Sequence, residues 1–120
     1  MSKIIGIVGS RRRNTKKDYE LVEAAFIKVY AKGDTIVSGG CPEGADNFAE
    51  EIAWTYNASI TIHKAEWKVY GKSAGFKRNT YIAQDADILI ACVAPDRKGG
   101  TEDTIKKYLK LGKTRLILVE

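Results

Sequence analysis

The sequence is poor in the residues that usually announce a function. Its 120 residues include two cysteines, Cys41 and Cys92, one histidine, His63, and no Cys-x-x-Cys pair. A disulfide framework or a structural zinc site needs more ligands than that, so no metal is expected and both thiols are read as reduced. No apolar run approaches the roughly 20 residues that cross a bilayer, which excludes a transmembrane helix. The start, Met-Ser-Lys followed by about six apolar residues, falls short of a secretory leader, and a cytoplasmic protein is expected. The pattern Gly-x-x-x-x-Gly-Lys-Ser/Thr does not occur, which argues against a P-loop ATPase. Gly6-Ile7-Val8-Gly9-Ser10-Arg11 does not make Gly-x-Gly-x-x-Gly either, so the dinucleotide fingerprint is missing and no cofactor is assigned. No repeat, linker or low-complexity segment divides the chain, which reads as a single domain, 1-120.

What is present is a foldable composition. Hydrophobic residues make up 44% and charged residues 29%, which argues against disorder. A chain of this size buries roughly two thirds of its unfolded surface without needing disulfides or a metal. Twenty Lys and Arg against fifteen Asp and Glu leave a net charge of +5, suited to an anionic ligand such as a phosphate. The same charge suits a nucleic acid, although no dense basic tract occurs.

Two kinds of segment alternate. Ile4 to Val8, Thr35 to Val37, Ser59 to Ile62, Ile88 to Val93 and Leu116 to Val119 are short apolar runs, as in strands covered on both faces. Between them apolar residues recur at helical spacing, most cleanly at Ala45, Phe48, Ala49, Ile52, Ala53 and Tyr56. Thr15 with Asp18 can cap the first helix, and Gly33 and Gly112 fall just past the ends of helical patterns. Strands separated by helices imply an α/β fold: one three-layer Rossmann-like domain on a five-stranded parallel sheet. The order 3-2-1-4-5 is favoured, with 2-1-3-4-5 as the alternative.

Ligands of such sheets bind beyond the carboxyl ends of the strands. Here those segments are rich in glycine and small polar residues: Gly9-Ser10-Arg11-Arg12-Arg13-Asn14, Ser38-Gly39-Gly40-Cys41-Pro42-Glu43-Gly44-Ala45-Asp46, a long stretch from His63 to Asn79, and Asp96-Arg97-Lys98-Gly99-Gly100-Thr101. A phosphate cradled by backbone N–H groups needs residues without an intervening Cβ, and a helix N-terminus adds oriented donors. Gly39-Gly40 and Gly99-Gly100 both precede helices and are the two candidate anion cradles. Arg11, Arg78 and Lys98 are candidates to offset phosphate charge, with Ser10, Ser38 and Thr101 as hydroxyl donors. Asp46, a like charge, is expected to cap its helix or accept a ribose hydroxyl. Trp67 and Tyr70 can stack on a base or pack in the core, and Trp54 is read as packing or interface. His63 ends the third strand without an evident nucleophile partner.

These segments together resemble the SLOG superfamily, which includes the DNA-processing proteins of natural transformation and the cytokinin-activating LOG enzymes. The likeness is to its YspA-like branch. It runs through Gly9-Ser10-Arg11, Gly39-Gly40 with Gly44-Ala45-Asp46, Glu66-Trp67, Gly71 with Ala74-Gly75, Arg78-Asn79, Ala86-Asp87-Ile88-Leu89-Ile90-Ala91 and Gly99-Gly100-Thr101, nearly the whole chain in order. The resemblance implies a Rossmann-like fold with a pocket for a nucleotide or nucleotide-derived ligand. LOG enzymes carry Pro-Gly-Gly-x-Gly-Thr-x-x-Glu, whose glutamate helps cleave an N-glycosidic bond. Aligning Gly100-Thr101 puts Thr104 at the position of that glutamate, with Glu102 and Asp103 out of register. The expected function is therefore binding or sensing of a nucleotide-like phosphorylated small molecule, with ligand contacts from Gly9 through Thr101 as named above. The alternative is an N-glycosidic-bond hydrolase or transferase; single-stranded nucleic acid binding is the second alternative, disfavoured by the lack of a basic–aromatic stripe. A homo-oligomer is expected, as in SLOG relatives.

Overall fold

The computed structural model describes residues 2–120. Eleven elements follow in order: β1 (Ile4–Gly9), α1 (Lys16–Val29), β2 (Thr35–Ser38), α2 (Ala45–Tyr56), β3 (Ser59–Ile62), α3 (Trp67–Tyr70), a 3-10 turn (Gly71–Ser73), α4 (Ala74–Asp85), β4 (Ile88–Cys92), α5 (Gly100–Lys110) and β5 (Leu116–Val119). All strand pairings are parallel and the sheet runs β3-β2-β1-β4-β5. The favoured order holds and the alternative is excluded, because β1 pairs with both β2 and β4.

Alternation along β1 builds two cores. Ile5 and Ile7 face Phe26 of α1 and Phe48 and Ile52 of α2. Val8 faces the opposite side, with Ile82 of α4 and Ile105 and Tyr108 of α5. The central strands are covered on both faces, as their apolar runs imply. At the edge, β3 alternates between exposed and half-buried residues, since no further strand lies beyond it.

The capping box at α1 forms as expected: the Asp18 amide donates to Thr15 Oγ1 at 3.1 Å and the Thr15 amide to Asp18 Oδ2 at 3.2 Å. Arg13 Nε donates to the same carboxylate at 2.7 Å, while its Nη1 donates to Val93 O at 2.8 Å, tying the first loop to the end of β4. The segment after β3 differs from the expected loop. Helix α4 begins at Ala74, so Gly75, Arg78 and Asn79 are helical. Its first turns bury Ala74 and Asn79, one small and one polar, and so leave no apolar signal in the sequence.

Two buried carboxylates set the acid limit of the fold. Burial opposes the charge of Asp18, but bonds from Arg13 and Thr15 outweigh it and hold the carboxyl below its ordinary range. At Asp34 burial is likewise outweighed, by Lys3 and by the Lys3 and Ala31 amides. Folded values below the unfolded ones mean stability that is present above about pH 4 and lost as pH falls through the folded values. Denaturant melts from pH 7 to 3 should show that decline. Asp34→Ala should cost about 3 kcal/mol at pH 7, because it leaves the Lys3 ammonium and two amides without their acceptor, and should flatten the acid limb. An unchanged acid limb would remove Asp34 from this role.

Candidate functional site

A cavity of about 440 Å³ opens at the carboxyl edge of the sheet, between the ends of β1 and β4. This is where chain connectivity changes direction across the sheet, so two strand-to-helix loops part and leave a crevice. Gly9, Ser10, Arg11 and Arg12 form one wall and Lys98, Gly99, Gly100 and Thr101 the other, with Asp46, Arg78 and Asn79 between them. Val8 and Ile82 are apolar parts of the lining, and Cys41 and Thr104 complete it.

The two loops are joined by an ion pair. Arg12 donates from Nη1 and Nη2 to the two carboxylate oxygens of Asp96 at 3.0 and 2.6 Å. The Ser10 amide donates to Cys92 O at 2.9 Å, anchoring the first loop to β4. With Arg12 engaged, the Arg11 guanidinium and the Lys98 ammonium are the lining cations without a hydrogen-bond partner among the described residues.

Helix α5 starts at this cavity with Gly99 as its N-cap and no side chain capping it. The Glu102 amide donates to Gly99 O at 3.2 Å, and the Gly100 and Thr101 amides with the positive end of the dipole are left for an anion. Space is available too: a Cβ on Gly100 would find nothing nearer than Asn79 Nδ2, at 3.9 Å. Asn79 pins the helix, donating from Nδ2 to Gly100 O at 3.2 Å and to Asp103 Oδ2 at 3.1 Å. The carboxylates of this turn are engaged elsewhere. Glu102 accepts two bonds from Arg97, and Asp103 accepts from Asn79 and from Lys107. Neither lines the cavity; Thr104 does.

Asp46 is the one lining carboxyl group among the described residues. Burial pushes its pKa up, against the lowering effects of the Cys41 amide, nearby Arg78 and the Ser38 hydroxyl. Ser38 has one proton for two acceptors, Ile7 O and Asp46 Oδ1. Burial nevertheless outweighs the bonds and the nearby Arg78 charge, and the net shift of Asp46 is upward.

The structure thus brings Gly9, Ser10, Arg11, Asp46, Arg78, Asn79, Lys98, Gly99, Gly100 and Thr101 to one cavity. Ser38, Gly39, Gly40, Gly44, Trp67 and Gly75 lie outside its lining. Ser38 is fully buried beneath it. The Gly39-Gly40 pair, expected to be a second anion cradle, serves packing. A Cβ on Gly39 would sit 2.7 Å from both Arg78 Nη1 and Asp46 Oδ2, and one on Gly40 would sit 2.7 Å from Ile62 Cγ2. With φ at +74°, Gly40 also adopts a backbone open mainly to glycine, so Gly40→Val tests folding and not binding alone. Gly44 closes the second loop onto the first, its amide donating to Asn14 Oδ1 at 2.8 Å. Trp67 is 56% exposed and its Cη2 lies 3.3 Å from where a Gly75 Cβ would be.

Sequence reasoning did not select Arg12, Cys41, Val8, Ile82 or Thr104 as lining residues. Arg12 was readable only as one of three consecutive arginines. Among the described residues no cluster of three His, Cys, Asp or Glu is placed to hold a metal, and no helix is long and apolar enough to cross a membrane.

No protein-family profile matches the sequence. The Gene 61 protein of Mycobacterium phage D29 is 33% identical over 86 residues, an alignment covering 67% of this chain and 67% of that protein. Two solved structures share the fold. The molybdenum cofactor binding protein from the phototrophic bacterium Rippkaea orientalis matches with a TM-score of 0.72 and 22% identity, over 98% of this chain and 76% of its own. The structural genomics target TM1055 matches with a TM-score of 0.63 and 17% identity, over 94% of this chain and 71% of its own. At these identities the likeness is one of fold.

Proposed function

The chain belongs to the family of the Gene 61 protein of Mycobacterium phage D29, and we propose that it binds or senses a nucleotide or nucleotide-derived phosphorylated small molecule in the cavity at the carboxyl edge of its sheet. The observation that carries this reading is the uncapped start of α5, which meets the unpaired cations Arg11 and Lys98 in a cavity whose one carboxyl group, Asp46, is shifted upward by burial. Oriented amides and unpaired cations recognise a phosphate, and Val8 and Ile82 offer apolar contact to the rest of the ligand. The fold relative described as a molybdenum cofactor binding protein supports small-molecule binding on this scaffold. Assignment to the YspA-like branch of the SLOG superfamily belongs to the same proposal and rests on the ordered motifs from Gly9-Ser10-Arg11 to Gly99-Gly100-Thr101.

Binding without turnover is favoured because Thr104 stands where a LOG-type glutamate would act, while Glu102 and Asp103 are held by Arg97, Asn79 and Lys107. One observation favours the enzymatic alternative: burial shifts the Asp46 carboxyl upward at the cavity, the direction that suits an acid for N-glycosidic cleavage. Release of free base from a bound nucleotide would establish that second reading.

The test is thermal denaturation with nucleoside mono-, di- and triphosphates, each beside its unphosphorylated nucleoside. A phosphorylated ligand at 100 times its dissociation constant should add about 2.7 kcal/mol. For a domain of this size that raises the melting temperature by roughly 10 °C. The nucleosides should have little effect. Equal shifts for nucleoside and nucleotide, or none across the series, would overturn the phosphate assignment.

Self-association is a further part of the proposal. Trp54 is 87% exposed on α2, and burying it against a second copy would remove a large apolar surface from water. Sedimentation at micromolar concentration should show a species heavier than the 13.3 kDa chain; a monomer throughout would refute it.

A further inference from the structure

A second cavity, of about 410 Å³, lies beside the first, under the end of β3. Ile62 bounds it from the end of β3, His63 and Lys64 from the segment that follows, Tyr70 from α3, and Lys77 and Tyr81 from α4. Its chemistry is aromatic and cationic. Tyr70 and Tyr81 are 44% and 51% exposed, so their rings are not consumed by the core. The His63 ring lies 5.6 Å from that of Tyr81 and is held by Asp85 Oδ2, 2.6 Å from its Nε2. Lys77 Nζ stands 4.6 Å over the Tyr70 ring, and the Lys64 ammonium has no partner among the described residues. Glu66 is the one carboxylate in the lining. Half-exposed tyrosine rings beside the unpartnered Lys64 ammonium suit a planar ring attached to a phosphate.

The two cavities share Arg78. Its Nη1 donates to Gly39 O and its Nε to Asn79 Oδ1, both at 2.9 Å, which fixes the guanidinium on the divide. Its Nη2 has no partner among the described residues. The absent Cβ of Gly39 lets the group lie there, since that atom would stand 2.7 Å from Nη1. A fixed cation with a free donor, between two lobes that each suit a ring, is placed for a bridging phosphate.

We propose that the two cavities form one bipartite site whose ligand is of the dinucleotide class, two ring systems joined through phosphate. One half occupies the cleft at α5, the second ring lies against Tyr70 and Tyr81, and the bridge passes Arg78. The inference rests on the reading of the first cavity as a phosphate site. Each lobe falls near the low end of the range of small-ligand pockets, about 300–1,000 Å³, and the ligand fills both.

Calorimetry with two probes tests it: adenosine monophosphate and diadenosine diphosphate. The two-ringed probe should bind about tenfold or more tightly than the mononucleotide, the order expected for one added base–aromatic stack. In Tyr70→Ala/Tyr81→Ala the ratio should fall to near one, and Tyr81→Phe should keep it. Half-exposed tyrosines make these variants safe to fold, and melting temperatures verify it. Mononucleotide binding with no gain for the two-ringed probe would overturn the bipartite site and leave the phosphate site standing. A gain that survives the double alanine variant would equally refute the second lobe. Failure of both probes to bind would sink the inference together with the reading beneath it.

Discussion

Gly44→Ala should cost about 4 kcal/mol, a large fraction of the stability of a domain whose whole margin is of order 5–15 kcal/mol. Two independent penalties add. The residue sits at φ +74° and ψ −156°, a region essentially restricted to glycine, which costs any other residue about 1–3 kcal/mol. A Cβ there would also stand 2.5 Å from Ser10 O and 3.1 Å from Ser10 C. Those are backbone atoms of a loop anchored to Cys92 O, so they cannot yield as a flexible side chain would, and overpacking adds about 1–3 kcal/mol. Gly33→Ala separates the terms. Its φ is +99°, but nothing lies within 4 Å of a Cβ, so only the backbone penalty of about 1–2 kcal/mol applies. Urea unfolding of both variants measures the difference. Equal losses would mean that the second loop does not pack against the first as described, and the shape of the cleft wall would have to be revised.

Gly100→Val should weaken binding of a phosphorylated ligand about 100-fold and leave the melting temperature nearly unchanged. Gly100 is the first residue of α5, and the space over it is open. A Cβ there meets no clash, and the branched valine side chain fills the approach to the Gly100 and Thr101 amides. Losing charge-assisted bonds to a phosphate should weaken binding about 100-fold, equivalent to roughly 2.7 kcal/mol. Lys98→Ala, which removes a charge without blocking the helix end, should cost less. Isothermal titration of wild type and both variants with the nucleotide selected by thermal shift provides the comparison. Wild-type affinity in Gly100→Val would move the phosphate away from α5, and a matching loss of thermal stability would make Gly100 structural.

The contrast among the glycines shows where local reading stops. Gly40 and Gly100 look alike in sequence, each the second residue of a Gly-Gly pair ahead of a helix. In space Gly40 abuts Ile62, whereas Gly100 borders open volume. Nothing in either loop's own residues distinguishes them, because the neighbours that matter come from β3 and α4.

Much of the architecture needed only the sequence. The apolar runs at Ile4, Thr35, Ser59, Ile88 and Leu116, separated by helical spacings, determine five parallel strands, since both faces of the sheet must be covered. Thr15 and Asp18 determine the start of α1, because a capping box involves only neighbours along the chain. The clustering of strand-to-helix loops at one sheet edge follows from parallel topology alone. Tertiary structure decided the rest. It extended α4 back to Ala74 by burying Asn79, a polar residue with no apolar periodicity to announce it. It paired Arg12 with Asp96 across 84 residues of sequence and left Arg11 and Lys98 free, a choice invisible in a run of three arginines. It raised the Asp46 carboxyl by burial among residues of other elements, and it set Arg78 between two cavities. Charge state, pairing and cavity shape depend on distances between elements remote in the chain, and those distances exist only once the sheet and its helices have packed.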